Sequence, residues 1–160
     1  MPTIDTATVY PGMCLFEGTN VSEGRGTSRP FEQIGAPWID PFRLSDAANA
    51  LNLPAVFFRP TYFVPTTRKF EGQRCAGVHI HITNRNHFEP VCTALHLMVQ
   101  ICNLYPDAFE FQVGRIDRLF GTSLVREQLE KGMPVSEMVE SWATSRQPFE
   151  RLRTQYLLYT

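Results

Sequence analysis

The sequence has 160 residues, 43% of them hydrophobic, and a formal net charge of -1 at pH 7. A chain of this size and composition forms one domain with an apolar core, and its balanced charge gives no electrostatic basis for binding nucleic acid or an anionic membrane. It has no apolar run of the roughly 18 residues that a membrane helix needs, and its N-terminus lacks the basic and apolar regions of a signal peptide. We therefore expect one domain that binds neither nucleic acid nor membrane.

The chain opens with a polar segment, residues 1–8, that we interpret as a linker or lead to a domain spanning residues 9–160. The apolar run Val9–Phe16 predicts a buried strand. That run leads directly into a polar loop, Leu15–Thr27, whose three glycines allow a backbone to pass close to a ligand or a neighbouring domain. Because scaffolds often present functional groups on such loops, this stretch is the first candidate for a site.

A helix and two strands are predicted after the loop. The segment from Asp40 to Pro54 opens with a helix N-cap signal and carries apolar residues at helical spacing. Ala55–Val64 is rich in β-forming residues, but Pro60 removes one donor from the ladder and therefore predicts an edge or bulged strand. Cys75–Thr83 alternates between apolar and polar positions and is the most regular strand of the chain.

The C-terminal half of the sequence is predicted to be mainly helical. Pro90 begins a helix with a broad apolar face, which we expect to pack on the sheet, and Pro106 ends it. Shorter helical patterns follow, and the last helix is predicted to begin after Pro148. The pattern indicates an α+β fold: a single domain with a small mixed sheet of two to four strands packed with five or six helices.

Two carboxylates of the loop, Glu17 and Glu23, admit two interpretations. As a functional pair they suit glycoside hydrolysis, in which a protonated acid assists the leaving oxygen and a second carboxylate acts as base or nucleophile. As structural residues they would bind backbone amides of the loop. Apolar neighbours adjoin Glu17, whereas Arg25 is closer in sequence to Glu23, so we expect any raised pKa to be that of Glu17.

A histidine pair, His79 and His81, lies on one face of the predicted strand. Two imidazoles at this spacing can share a metal ion, which makes metal-dependent hydrolysis an alternative function. Zinc sites usually need three or four well-placed ligands, and no third ligand in this sequence has diagnostic spacing. The competing interpretation is a pair of polar histidines on a strand face.

Several strings carry a resemblance to a known family, above all YPGMCLFEGTNVSEGRGTSRPFEQIGAPWID (Tyr10–Asp40), FRPTYFVPTTRKFEGQRCAGVHIHIT (Phe58–Thr83) and the terminal YLLY. The chain resembles the C-terminal part of the bacterial exo-β-N-acetylmuramidases, glycoside hydrolases of peptidoglycan recycling. Members pair an N-terminal Rossmann-like domain with a C-terminal domain like this one, and their active site lies in the cleft between the two. The resemblance implies an auxiliary domain that forms one wall of that cleft. We expect no metal or other cofactor.

The substrate that the resemblance implies is N-acetylmuramic acid at the non-reducing end of a muropeptide or saccharide, joined β-1,4 to N-acetylglucosamine. The leading candidate for the catalytic glutamate of the family lies in the N-terminal half, which implies that Glu17 and Glu23 support or line the cleft. The lactyl carboxylate of the sugar needs a cation, for which we consider Arg25 or Arg29. Further candidates for substrate binding are Asn20, Thr27, Arg59 and His81.

The resemblance also implies where and how the protein acts. Members of the family are typically secreted or periplasmic, and because this chain shows no targeting signal, a cytoplasmic location is the alternative. We expect activity from a two-domain hydrolase and not from this chain alone. The alternative function of a different class is a non-catalytic module that binds carbohydrate or docks to another domain.

Overall fold

The computed structural model describes residues 1–159, except for the side chain of Ser145. Within this range the elements in chain order are α1 (Ile4–Met13), β1 (Gln33–Ala36), α2 (Pro41–Ala50), β2 (Val56–Phe63), β3 (Cys75–Ile82), α3 (Pro90–Leu104), α4 (Val113–Phe120), α5 (Leu124–Glu130), α6 (Val135–Ser141) and α7 (Ala143–Arg153), with 3₁₀ turns at Cys14–Gly18 and Thr154–Tyr156. The predicted α+β class is confirmed. The described residues form seven α-helices instead of five or six, and the sheet is antiparallel instead of mixed. The last residue of the predicted domain, Thr160, lies outside the described residues.

The sheet has the strand order β1-β3-β2, and β3 pairs antiparallel with both neighbours. In the described part of the chain β2 pairs only with β3, so Pro60 lies on an edge strand, as predicted. The register places Gln33 of β1 and Arg59 of β2 on either side of His79. Because side chains of directly paired residues point to the same face, these three polar residues share one face of the sheet.

The opposite face of the sheet forms the core with the helices. Ile34, Val78 and Ile80 are almost fully buried there and belong to the same apolar cluster as Leu97 and Ile101 of α3. Helix α3 is thus the central helix that the sequence predicted. Helix α2 packs on β2 and β3, and α1 packs on α3, so α1 is held at one side of the sheet, next to the loop that carries the candidate site.

The strand predicted for Val9–Phe16 is wrong: this stretch forms the second half of α1 and the 3₁₀ turn that follows. The side chains that are fully buried in this stretch, together with that of Thr6, recur every three or four positions, which is the helical period: Thr6, Val9, Met13 and Phe16. Pro11 and Gly12 usually indicate turns, and they obscured this period in the sequence. Residues 4–8 of the expected lead also belong to α1.

The C-terminal part packs far less than the rest of the domain. Pro148 lies inside α7 and not at its start, so the predicted beginning of the last helix is wrong. The large apolar side chains of α7 and the residues after it are exposed, and we call them the apolar arm: Phe149, Leu152, Tyr156, Leu157, Leu158 and Tyr159. None of the helices in residues 1–159 is long and apolar enough to span a membrane.

Candidate functional site

The loop after the 3₁₀ turn forms a cavity together with two distant segments, the β2–β3 connection and the start of α4. The cavity has a volume of about 250 Å³, and we call it the charged cleft; it is lined by Glu17, Glu23, Arg25, Arg68, Lys69, Gln112 and Arg115. Four of these side chains are cationic and two are carboxylates, so the charged cleft has an excess of positive charge. It therefore favours an anionic group over a neutral one.

Glu17 is held by two arginines. Its carboxylate accepts hydrogen bonds from Arg25 Nη2 at 2.5 Å and Nε at 3.2 Å, and from Arg115 Nη2 at 2.5 Å. Partial burial raises the pKa of Glu17, but the hydrogen bonds from the two guanidinium groups outweigh burial and hold the pKa below its usual value. The expectation of a raised pKa at Glu17 is therefore wrong. Arg115 lies 98 residues away in sequence, which is why its effect could not be foreseen.

Lys69 is the cation at the base of the charged cleft. Its Nζ donates to the carbonyl oxygens of Phe16 at 2.7 Å and Val21 at 2.9 Å, and to Glu23 Oε2 at 3.1 Å. Glu23 is only 4% exposed, and its other oxygen lies 3.5 Å from Arg25 Nε. Burial lowers the pKa of Lys69, although the Glu23 carboxylate opposes this. Sequence reasoning missed Lys69, because nothing in the sequence near it indicates a contact with Glu23, 46 residues away.

The backbone around Lys69 has an unusual conformation. Arg68 and Phe70, on either side of it, have φ angles of 73° and 58°, in the left-handed region that non-glycine residues seldom occupy. The loop is tied to the first one: Thr66 donates from its N–H and its hydroxyl to the carbonyl oxygen of Gly26, both at 2.9 Å. Gly26 is required at this contact, since a Cβ there would lie 2.7 Å from the Thr67 nitrogen. The two loops thus hold Arg68 and Lys69 in place.

A second cavity, of about 460 Å³, adjoins the charged cleft and shares Arg25 and Arg68 with it. We call it the aromatic cavity because Tyr10 and Phe31 form part of its wall, with their rings edge to face at 4.9 Å. The Arg25 guanidinium lies over the Phe31 ring, 5.0 Å from its centroid. An aromatic surface flanked by cations and hydroxyl groups suits a polar ring that carries an acidic substituent.

Two further residues predicted for the site, Asn20 and Thr27, lie in the same loop. The Asn20 amide donates to the carbonyl oxygen of Ala108 at 2.7 Å and accepts from the Glu110 N–H at 3.0 Å, so both of its polar atoms are already engaged. Thr27 lines the aromatic cavity, and its hydroxyl donates to the carbonyl oxygen of Gly24 at 2.7 Å. Thr27 is thus close to the candidate site, whereas Asn20 connects the loop to the segment before α4.

The other three predicted residues, Arg29, Arg59 and His81, lie around a buried carboxylate, Glu32, that sequence reasoning did not identify. Among the described residues, none of the three lines the charged cleft or the aromatic cavity. Arg29 Nη1 donates to Glu32 Oε2 at 3.1 Å, and Arg59 pairs with His79 across the sheet.

Glu32 itself holds α1 against the sheet. It is 2% exposed and accepts hydrogen bonds from the hydroxyl groups of Thr3, at 2.7 Å, and Thr6. The His79 and His81 rings are 4.2 Å apart between centroids, and burial lowers the pKa of both. No group of three or more His, Cys, Asp and Glu side chains in the described chain is placed to hold a metal ion, so the geometry gives the metal-dependent alternative no further support.

A comparison with known protein families identifies the family of this chain. The model for the C-terminal domain of the exo-beta-N-acetylmuramidase NamZ matches residues 8–159. The chain belongs to this family. It is 44% identical over 160 residues to the peptidoglycan beta-N-acetylmuramidase NamZ of Bacillus subtilis (strain 168), and the match covers 99% of this chain but 39% of that protein. The resemblance read from the sequence is thereby confirmed, and the chain spans about two fifths of its relative's length.

Two solved structures have the same fold. A DUF1343 family protein from Bacteroides fragilis NCTC 9343 superposes with a TM-score of 0.86 at 26% identity, covering 96% of this chain and 42% of that one. A second DUF1343 protein from the same strain gives a TM-score of 0.67 at 24% identity, covering 99% and 42% of the two chains, and supports the fold alone. In both, this chain corresponds to less than half of a longer protein.

The hydrogen bonds to Glu17 predict how stability depends on pH. A carboxyl group whose pKa is lower in the folded state than its unfolded value of 4.5 stabilises the fold above pH 4.5, and this contribution is lost as the pH falls through the folded pKa. We expect Glu17→Gln to lower the free energy of unfolding by about 1–2 kcal/mol at pH 7 and by less at pH 3. Urea denaturation at a series of pH values measures this.

The matched control for this variant is Glu140→Gln, because Glu140 is exposed and has no ion-pair partner among the described residues. It should leave the curve of stability against pH unchanged. Equal losses for Glu17→Gln at pH 7 and pH 3 would contradict the assigned pKa direction.

Proposed function

We propose that this domain forms one wall of the saccharide cleft of a two-domain exo-acting β-N-acetylmuramidase, which removes N-acetylmuramic acid from the non-reducing end of peptidoglycan fragments. The wall consists of the charged cleft and the aromatic cavity. The observation that carries the proposal is their continuity: a cationic cavity adjoins an aromatic one, and they share two arginines. Such a surface matches a sugar ring with an acidic substituent, which is the chemistry of a muramyl residue.

The contacts of Glu17 and Glu23 support a domain that lines the cleft but does not itself supply the catalytic acid. A glycosidase acid must be protonated near neutral pH, which requires a raised pKa. Glu17 has the opposite shift, and Glu23 is bound to Lys69. In this proposal both glutamates orient the cations of the charged cleft, and the groups that cleave the glycosidic bond belong to the other domain.

The remaining predicted residues take supporting places in this proposal. Thr27 contacts the sugar from the aromatic cavity, and Asn20 fixes the loop against the segment before α4. Arg29 shares Glu32 with Thr3, the N-cap of α1, and with Thr6 inside that helix, which also supplies Tyr10. Arg59 and His81 extend that polar face of the sheet, where they would contact a longer saccharide or the partner domain.

The partner in this proposal is an N-terminal domain of the same polypeptide. This chain covers 39% of the relative from Bacillus subtilis, which leaves room for a further domain in a protein of that length. The apolar arm supports the presence of a partner domain, because a group of large exposed apolar side chains often marks an interaction surface. Leu158 and Tyr159, at its tip, are 90% and 88% exposed.

The test compares this chain with the complete polypeptide that contains it. We expect the complete protein to release 4-nitrophenol from 4-nitrophenyl β-N-acetylmuramide and this chain alone to release none. The matched substrate is the β-N-acetylglucosaminide, which lacks the lactyl group and should react more slowly. Turnover by the isolated chain would contradict the shared site. A complete protein that binds the muramide without cleaving it would favour a non-catalytic carbohydrate-binding module.

A further inference from the structure

Arg68 differs from the other cations of the charged cleft because it has no anionic partner. Arg25 is paired with Glu17 and Glu23, and Arg115 is paired with Glu17. In the part of the chain that the structure describes, no carboxylate lies within ion-pair distance of Arg68, and its side chain makes no hydrogen bond. A guanidinium group has five donors in a planar fork, and those of Arg68 are all available to a ligand.

The position of Arg68 is as informative as its lack of a partner. It is exposed, and it lines both the charged cleft and the aromatic cavity, so this residue lies where the two join. A group bound there can reach the cationic cavity with one end and the rings of Tyr10 and Phe31 with the other. Arg25 also lies at the junction, but its charge is already offset by Glu17 and Glu23.

The backbone holds this arginine in a strained conformation. A non-glycine residue in the left-handed region costs on the order of 1 kcal/mol, and such residues persist where the surrounding structure fixes them. Here the fixing contacts are the three hydrogen bonds of Lys69, the next residue, and those of Thr66 with Gly26. The loop therefore fixes the backbone position of Arg68 before any ligand arrives, which lowers the entropy cost of ordering the loop on binding.

We propose that Arg68 is the specificity-determining residue of this wall, binding the carboxylate of an acidic amino sugar through a two-point contact while the sugar ring lies in the aromatic cavity. This inference rests on the proposed function and assigns the recognition of the acidic group to one residue. It differs from the choice that the sequence suggested, because Arg25 and Arg29 are both already paired with glutamates. Arg68 then discriminates a muramyl ring from the otherwise similar glucosaminyl ring.

The test measures discrimination between N-acetylmuramic acid and N-acetylglucosamine, which differ by the lactyl ether. In the complete polypeptide, Arg68→Gln should weaken binding of N-acetylmuramic acid about 10- to 100-fold and change that of N-acetylglucosamine by less than about twofold, as expected for the loss of a charged hydrogen-bonded pair. Arg68→Lys keeps the charge but not the fork, and should recover part of the affinity. Isothermal titration calorimetry gives both constants.

The control is Arg43→Gln, because Arg43 is an exposed arginine of α2 that lines neither cavity and has no ion-pair partner among residues 1–159. It should leave both binding constants unchanged. Far-UV circular dichroism and the melting temperature report whether each variant is folded. Glutamine must adopt the same left-handed φ as arginine, so the substitution adds no backbone strain.

The outcomes separate this inference from the proposed function. If the wild-type protein cleaves the muramide and Arg68→Gln binds N-acetylmuramic acid as well as wild type, the inference is overturned and the proposed function stands. If the wild-type protein binds N-acetylmuramic acid through Arg68 but cleaves no muramide, the inference stands and the proposed function fails. A wild-type protein that binds the two sugars equally well would overturn the inference directly.

Discussion

Replacing Lys69 with methionine is expected to lower the free energy of unfolding by about 3–5 kcal/mol, because removing one partner of a buried ion pair leaves the other charge uncompensated. Methionine keeps most of the apolar stem but has no donor. The carbonyl oxygens of Phe16 and Val21 would each lose a hydrogen bond, and Glu23 would retain only the contact with Arg25 at 3.5 Å. Urea denaturation at pH 7, followed by circular dichroism, measures the change.

Two further variants show whether the loss comes from the buried charge. Lys131→Met alters an exposed lysine that forms no ion pair in residues 1–159, and should change stability by less than about 0.5 kcal/mol. The double variant Lys69→Met with Glu23→Gln should be more stable than Lys69→Met alone, because it also removes the uncompensated carboxylate. A loss below 1 kcal/mol for Lys69→Met would contradict the contacts assigned to its ammonium group.

Replacing Gly12 with alanine is expected to lower the free energy of unfolding by about 3 kcal/mol or more, at the upper end of the range for overpacking a core. Gly12 is buried in α1, where that helix meets the start of α3. A Cβ at this position would lie 1.9 Å from the carbonyl oxygen of Pro90 and 2.3 Å from its carbon. These are backbone atoms at the start of a helix, so relief requires α1 to move away from α3.

The matched control is Gly114→Ala in α4, where an added Cβ would have no heavy atom within 4 Å. Alanine is a better helix former than glycine, so this variant should be neutral or more stable by up to about 1 kcal/mol. Thermal unfolding of both variants gives the comparison. Similar melting temperatures for the two variants would contradict the close approach of α1 to the start of α3.

Much of the fold could be predicted because local signals and packing agree. Asp40 caps α2 by accepting from the backbone N–H groups of Phe42 and Arg43, as its N-cap pattern indicated. Pro60 excluded β2 from the centre of the sheet, and Pro90 marked the start of α3. The regular alternation from Cys75 predicted β3, the central strand.

The prediction failed where a local signal conflicts with packing. Pro11 and Pro148 both lie inside helices, although proline usually ends or begins one. In α1, burial of Val9 and Met13 against the rest of the core outweighs the hydrogen bond that Pro11 cannot make. Propensity is a weak local preference, and tertiary burial of several apolar side chains is larger than the difference it makes.

For the candidate site, the residue types and the loop that carries them could be read from the sequence, and so could the family, because all three are properties of the linear chain. The electrostatic environment of those residues could not be read from the sequence. Glu17 meets Arg115 from 98 residues away, and Lys69 reaches Glu23 across 46 residues. Electrostatic interactions depend on distance in space and on burial, and folding sets both. Folding therefore gave Glu17, where we expected any raised pKa, a lowered one. Within the charged cleft it left Arg68 as the cation for which the described residues supply no ion-pair partner.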